Sequence, residues 1–261
     1  ADRLAEALLH ARLANRAAER AAMAREVELA ATVQSELLPG NGPHVHGAFT
    51  VVGSWQPATT CAGDFWAVYP LGDSRLLIAI GDVTGHGVAS AMVTAAAVAA
   101  VGVCVRRGGR DLDLQELIAA LDTAVRRVGG GELAMTCFAA ILDAEASEVR
   151  FVSCGHPSPY LCRTSEHGVE LQALVARGNL LGLGLPAAPK QLQRSIHAGD
   201  LLVWYTDGVI EAQDPAGTPF GDRRLQHMLR RLDRNRLTAP AVHAVIEAAV
   251  AAHRAGQSRA D

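Results

Sequence analysis

Three aspartates carry the chemistry this sequence could do. Asp82 stands in GDVTGHG, directly after the apolar run LLIAI; Asp207 follows a second apolar run in LLVWYTDG; Asp64 lies in CAGDFWAVYPL, between a glycine and two aromatics. Apolar runs of this length read as buried strands, which puts the carboxylates at strand ends. Beyond Asp82, Gly85-His86-Gly87 permits a tight turn, and the Ala/Val-rich stretch that follows reads as a helix whose first amides point back toward the aspartate. A strand-end carboxylate facing a helix N-terminus can hold a cation and an anion together, as metal-dependent phosphate chemistry requires. The same residues also fit a plain Asx-turn or helix cap, and this stretch alone leaves both open. Three acids brought together would repel one another unless a cation neutralises them.

Positioning them takes most of the chain. Hydrophobic alternation and turn residues predict strands near 48–56, 64–71, 75–81, 134–142, 148–154, 158–163, 170–174, 192–197 and 200–206. Helices are predicted at about 87–106, 113–128, 221–232 and 239–254. Blocks of strands alternating with helix pairs predict α+β layers, not a parallel βαβ sheet. Residues 1–38 contain neither Pro nor Gly, and Leu4, Leu8, Val27, Ala31 and Leu38 recur at helical spacing. At 1.5 Å per residue such a helix would run roughly 57 Å, too long to pack wholly on one domain. Its residues fit either a solvated Ala-rich arm or a coiled-coil or signalling helix that links an upstream sensor and can pair in a homodimer, and the second is the expectation. The domain boundary is placed after residue 40, with 1–40 as linker and 41–261 as the catalytic part.

Composition narrows the classes. A net charge of -3 argues against a nucleic-acid surface. No membrane span is expected, because 88–105 is rich in Ala and Gly and closes on Arg106-Arg107. The 5 cysteines lack C-x-x-C spacing, which argues against zinc and a disulfide framework and for a reducing cytoplasm. Cys104 to Arg110 has the C-x5-R spacing of a thiolate phosphatase, but it follows a predicted helix and no histidine precedes the cysteine.

The succession AGDFW, GDVTGHG, MTCFAAILD, CGHPSPY, RGNLLGLGL and LLVWYTDGVIEA resembles the SpoIIE/RsbU-like branch of the PPM (type 2C) protein serine/threonine phosphatases, from about Val33 to Asp261. The resemblance implies a four-layer α-β-β-α sandwich of two mainly antiparallel sheets flanked by helices. It also implies two Mn²⁺ or Mg²⁺ ions held by aspartates, and hydrolysis of phosphoserine or phosphothreonine on a protein. The substrate it suggests is a phosphorylated anti-anti-sigma protein of the STAS type, in a bacterial cytoplasm.

Within that frame Asp82 is expected to bridge two divalent ions, with the Val83 carbonyl as a backbone ligand, Asp64 on one side and Asp207 on the other. Asp261 takes the place of a further family aspartate, as a ligand at a truncated end or as a free terminus, and the strand that follows it in the family is absent. Water activated by the ions would attack phosphorus in line, and His86 would either supply a proton to the leaving oxygen or simply fix the turn. His156 is expected to shape a turn between strands. Ala67 stands where many relatives carry a second acid, Ala62 replaces a usual glycine, and Gln56-Pro57-Ala58 offers no phosphate-binding arginine. A competing expectation is a pseudophosphatase that holds a phosphoprotein without turnover.

Overall fold

The apolar run before Asp82 forms β4 (Arg75–Val83), and its period of two decides the layering. Leu77, Ala79 and Val83 face a helix-covered core, while Leu76, Ile78 and Ile80 face a second sheet. The computed structural model describes residues 2–40, 42–57, 60–166, 168–186, 189–233 and 237–256. β4 sits inside a five-stranded antiparallel sheet, between β3 (Phe65–Pro70) and β5 (Met135–Asp143), with β6 (Glu148–Cys154) and β9 (Leu192–Ser195) beyond. A three-stranded sheet of β10 (Leu201–Val203), β7 (Tyr160–Ser165) and β8 (Gly168–Ala173) packs against it. Phe138 and Phe151, stacked at 5.5 Å between ring centroids, fill the space between the sheets with Leu161 and Leu174.

Helices close both outer faces. α2 (Val88–Gly108) and α3 (Leu114–Gly129) cover the larger sheet through Val93, Ala97, Leu117 and Leu121. α3 begins on Asp113, whose carboxylate accepts the Gln115 N–H at 2.8 Å, and ends on Gly130 with φ 65. α5 (Asp222–Arg230) and α6 (Ala239–Arg254) cover the smaller sheet through Leu225, Leu229 and Val242. The order helix, sheet, sheet, helix is the expected α+β sandwich. β1 (His44–His46) and β2 (Phe49–Val51) form a separate hairpin. β2 and β10 each present an edge to a cavity of about 1380 Å³ lined by Trp66, Ile80, Trp204 and Val242.

The N-terminal helix, α1 (Asp2–Glu36), is as long as expected. It touches the sandwich near its carboxyl end, where Gln34 is 2% exposed, and leaves Leu13, Met23, Leu29 and Val33 in solvent.

Some expectations need correction. The strand predicted at 48–56 is only Phe49–Val51, and the one at 200–206 is only Leu201–Val203. Asp207 therefore does not end a strand; it opens the short helix α4 (Asp207–Ile210). Val88–Asp111 is, by length and hydropathy, apolar enough to cross a membrane, contrary to the expectation from its Ala and Gly content. Here that segment includes the layer helix α2, with Val93, Val98 and Val101 buried.

Candidate metal centre

Asp82 belongs to the set of β4 residues that face the inter-sheet space, so it sits where that space runs out beyond Ile80. Asp64 immediately precedes β3, the strand paired with β4 through Phe65 and Gly81. Asp207 arrives from the other sheet, four residues after β10 ends. Carboxylate oxygens of Asp64, Asp82 and Asp207 all lie within 4.8 Å of one another. Residues far apart in the chain are thus brought together by the end of the sandwich.

The loop before Asp64 is fastened from three directions. Val83 N–H and the Thr94 hydroxyl on α2 both donate to the Gly63 carbonyl, at 3.2 and 2.8 Å. The Gln34 side chain on α1 donates to the Ala62 carbonyl at 2.6 Å and accepts the Ala62 N–H at 3.2 Å, as a neighbouring strand would. Gly63 has no room for a side chain, since a Cβ would lie 2.3 Å from the Val83 carbonyl oxygen and 2.9 Å from Asp82 Oδ1. Those two oxygens therefore flank one point beside Gly63. Replacing Gln34 with Leu should strand both Ala62 groups and cost about 1–3 kcal/mol in urea unfolding. Amide exchange should accelerate at 61–63 before it does elsewhere.

Electrostatics set these acids against their surroundings and against one another. Asp64 Oδ1 is buried with no hydrogen-bond partner. Burial raises the Asp64 pKa to about 6; the Thr206 side chain pulls it down and Asp207 pushes it up. Asp82 rises to about 7, first by burial and then by Asp64, Asp207 and Glu211, with the Val83 N–H opposing. Glu211 escaped the sequence analysis. It follows Asp207 by one helical turn, and its N–H donates to the Asp207 carbonyl at 2.7 Å. The i,i+4 spacing was the available signal, concealed by taking Asp207 as a strand end.

A set of oxygen donors containing an orphaned buried carboxylate oxygen suits a hard cation such as Mn²⁺ or Mg²⁺. Asp64, Asp82, Asp207 and the Val83 carbonyl fit that role by chemistry and placement.

His86 is exposed in the turn between Gly85 (φ 89) and Gly87 (φ 86), and among the described residues its ring takes no hydrogen bond. Asp261 lies outside the described residues. Ala67 pairs with Ala79 on the helix-covered side of the larger sheet, so an acid there would not point at the aspartates. The Cys104 alternative is corrected: the thiol is in α2, and burial pushes its pKa up, with Arg107 lowering it and Glu116 raising it. Arg110 is paired with Glu145 at 2.6 Å. No phosphate-cradling loop joins them, since α2 continues to Gly108.

The four-layer sandwich has the fold of PP2C phosphatase domains. The SiaA-PP2C domain of Pseudomonas aeruginosa superimposes with a TM-score of 0.73 at 23% identity, over 91% of this chain and 93% of that one. The family model described as "Stage II sporulation protein E (SpoIIE)" matches residues 72–261. The chain belongs to the SpoIIE family.

Protein IcfG of Synechocystis sp. is 28% identical over 229 residues, 78% of this chain and 35% of IcfG. Phosphoserine phosphatase RsbU of Bacillus subtilis is 26% identical over 197 residues, 74% of this chain and 55% of RsbU. The chain thus spans about a third to just over half of the length of these relatives.

Proposed function

We propose that this chain hydrolyses phosphoserine or phosphothreonine on a signalling protein, with Mn²⁺ or Mg²⁺ held by Asp64, Asp82, Asp207 and the Val83 carbonyl. The observation that carries the reading is the convergence of the carboxylates within 4.8 Å around a buried, unpartnered Asp64 oxygen. When bound, the ions supply charge neutralisation and an activated water for in-line attack on phosphorus. The chain itself supplies orientation. The first amides of α2 have no side-chain cap and form a seat for phosphate oxygens ahead of Val88. His86, in the turn that leads into this helix, gives a proton to the departing seryl or threonyl oxygen.

The name of RsbU, a phosphoserine phosphatase, supports the same substrate chemistry. A phosphorylated STAS-type protein is the target that the family resemblance favours. On this reading residues 1–40 are a linker from an upstream sensor, and the solvent-exposed Met23, Leu29 and Val33 of α1 support a homodimer.

The test is Mn²⁺-dependent hydrolysis of p-nitrophenyl phosphate and of a phosphoserine peptide. EDTA should abolish it, whereas Cys104→Ser should leave the rate within about twofold of wild type, since the thiol faces no substrate seat. Loss of activity in Cys104→Ser with indifference to EDTA would reverse the assignment. Mn²⁺ binding without turnover would favour a phosphoprotein-binding module instead.

A further inference from the structure

His156 was expected only to shape a turn, yet it is 6% exposed and follows the end of β6, deep beside the site. The chain brings it there deliberately. Gly155, with φ 72, bridges Cys137 on β5, and this sets the next residue beside Thr136. His156 Nδ1 and the Thr136 hydroxyl are 2.9 Å apart. Thr136 is the cross-strand partner of Asp82, and directly opposed residues of an antiparallel pair share a face. One side of the imidazole therefore rests on the strand pair that carries Asp82.

The other side reaches toward the second sheet. Nε2 is buried and has no partner of good hydrogen-bond geometry. The main chain of Tyr205 is the polar group that favours the ring's protonated form, while burial, the larger influence, pushes its pKa down to about 4. The Tyr205 main chain is thus a polar neighbour of the ring, without the well-formed hydrogen bond that Thr136 makes. Tyr205 stands two residues before Asp207, and the intervening Thr206 side chain is the group that pulls the Asp64 pKa down. A neutral ring suits this position: with the Thr136 hydroxyl donating to Nδ1, the hydrogen sits on Nε2, on the side of the Tyr205 main chain.

We propose that His156 is a positioning residue that ties β5 of the larger sheet to the Tyr205–Asp207 segment of the smaller one and thereby sets the separation of Asp82 and Asp207. The proposal rests on the metal-centre reading above. The alternative is that His156 merely plugs the end of the inter-sheet core. A plug would matter for unfolding but not for how well the folded protein binds a cation.

The experiment is calorimetric titration of Mn²⁺ into wild type, His156→Leu, His156→Gln and Thr136→Val, with thermal unfolding of each protein in EDTA. Partners one shell behind metal ligands typically change affinity by about 10–100-fold when removed. His156→Leu and Thr136→Val should each weaken Mn²⁺ binding by at least about tenfold. The double variant should be little worse than either, because both cut the same connection. His156→Gln, which can still reach the Tyr205 carbonyl, should recover part of the affinity. Thr136→Val preserves shape and decides the matter should His156→Leu not fold. Unchanged Mn²⁺ affinity with a lowered melting temperature would overturn the positioning role and leave the metal centre standing. Absence of Mn²⁺ binding by wild type would overturn the metal-centre reading and this proposal with it.

Discussion

Asp82→Asn should lower Mn²⁺-dependent hydrolysis by about three orders of magnitude, the effect of losing several kcal/mol of metal-derived stabilisation of the transition state. It should also make the metal-free protein more stable near pH 7.5, because the substitution removes one charge from a group that Asp64, Asp207 and Glu211 all repel. Most changes of a half-buried polar residue lose stability, so the opposite sign is diagnostic. Asp143, at the far end of the same strand pairing, provides the contrast. Burial pushes its pKa up, but the Ala146 N–H, Arg75 and the Glu145 N–H together bring it below the ordinary value. Arg75 Nε lies 2.5 Å from its carboxylate. Asp143→Asn should therefore destabilise the fold and leave the turnover of the folded fraction intact. The two variants would be compared by thermal unfolding in EDTA and by steady-state rates in Mn²⁺. An Asp82→Asn protein that hydrolyses at the wild-type rate would end the metal-centre account.

The difference between these aspartates was half legible in the sequence. Asp82 follows an apolar run and precedes a glycine-rich turn, which was enough to put its carboxylate at a strand end ahead of a helix. The side of the sheet it faces emerges only from the packing of Leu76, Ile78 and Ile80 against the second sheet. Asp143 ends an apolar run equally well, and only the pairing of Arg75 with Asp143 across the β4–β5 ladder distinguishes a structural acid from a functional one. Long-range pairing of this kind leaves no local signal.

Other features escaped for related reasons. Gln34 looks like an ordinary polar residue of a solvated helix, because nothing nearby in sequence announces that Ala62 will offer it both main-chain groups. Glu211 escaped because a continuous apolar run was extended through Trp204 and Tyr205, although the ladder of β10 stops at Val203. Its neighbour Thr206 then stands before a helix, and that geometry turns Asp207 and Glu211 into residues of one helical turn. His156 looked like turn chemistry from its Gly-His-Pro setting, and the contact with Thr136 on the neighbouring strand β5 could not be foreseen from spacing. The layers themselves were legible because each depends on periodicity within one element.

Without metal, the stability of this protein should fall as pH rises from about 4 to about 7, the reverse of the usual climb out of acid. Asp64 at about 6 and Asp82 at about 7 both lie above the ordinary 3.8. The folded state then holds protons that the unfolded state has released. His156, pushed down to about 4, works the other way over the lower part of this window, but it is one group against two, so the native state still binds more protons and the free energy of unfolding declines with pH. The contribution is fully present below the unfolded value near 3.8 and is lost as pH passes the folded values. Saturating Mn²⁺ should cancel the decline, since a cation takes the place of the protons and favours the charged carboxylates. Binding should release protons at pH 6, and affinity should rise with pH until about 7 before levelling. Thermal unfolding at several pH values between 4.5 and 8, in EDTA and in excess Mn²⁺, separates the two curves. Asp82→Asn should flatten the metal-free curve by removing the group with the higher pKa. A melting temperature in EDTA that instead rises steadily from pH 5 to 7.5 would mean that the aspartates are not held together as charges in a confined, poorly solvated space. The cluster would then be an ordinary group of solvated acids, with no need of an ion to complete it.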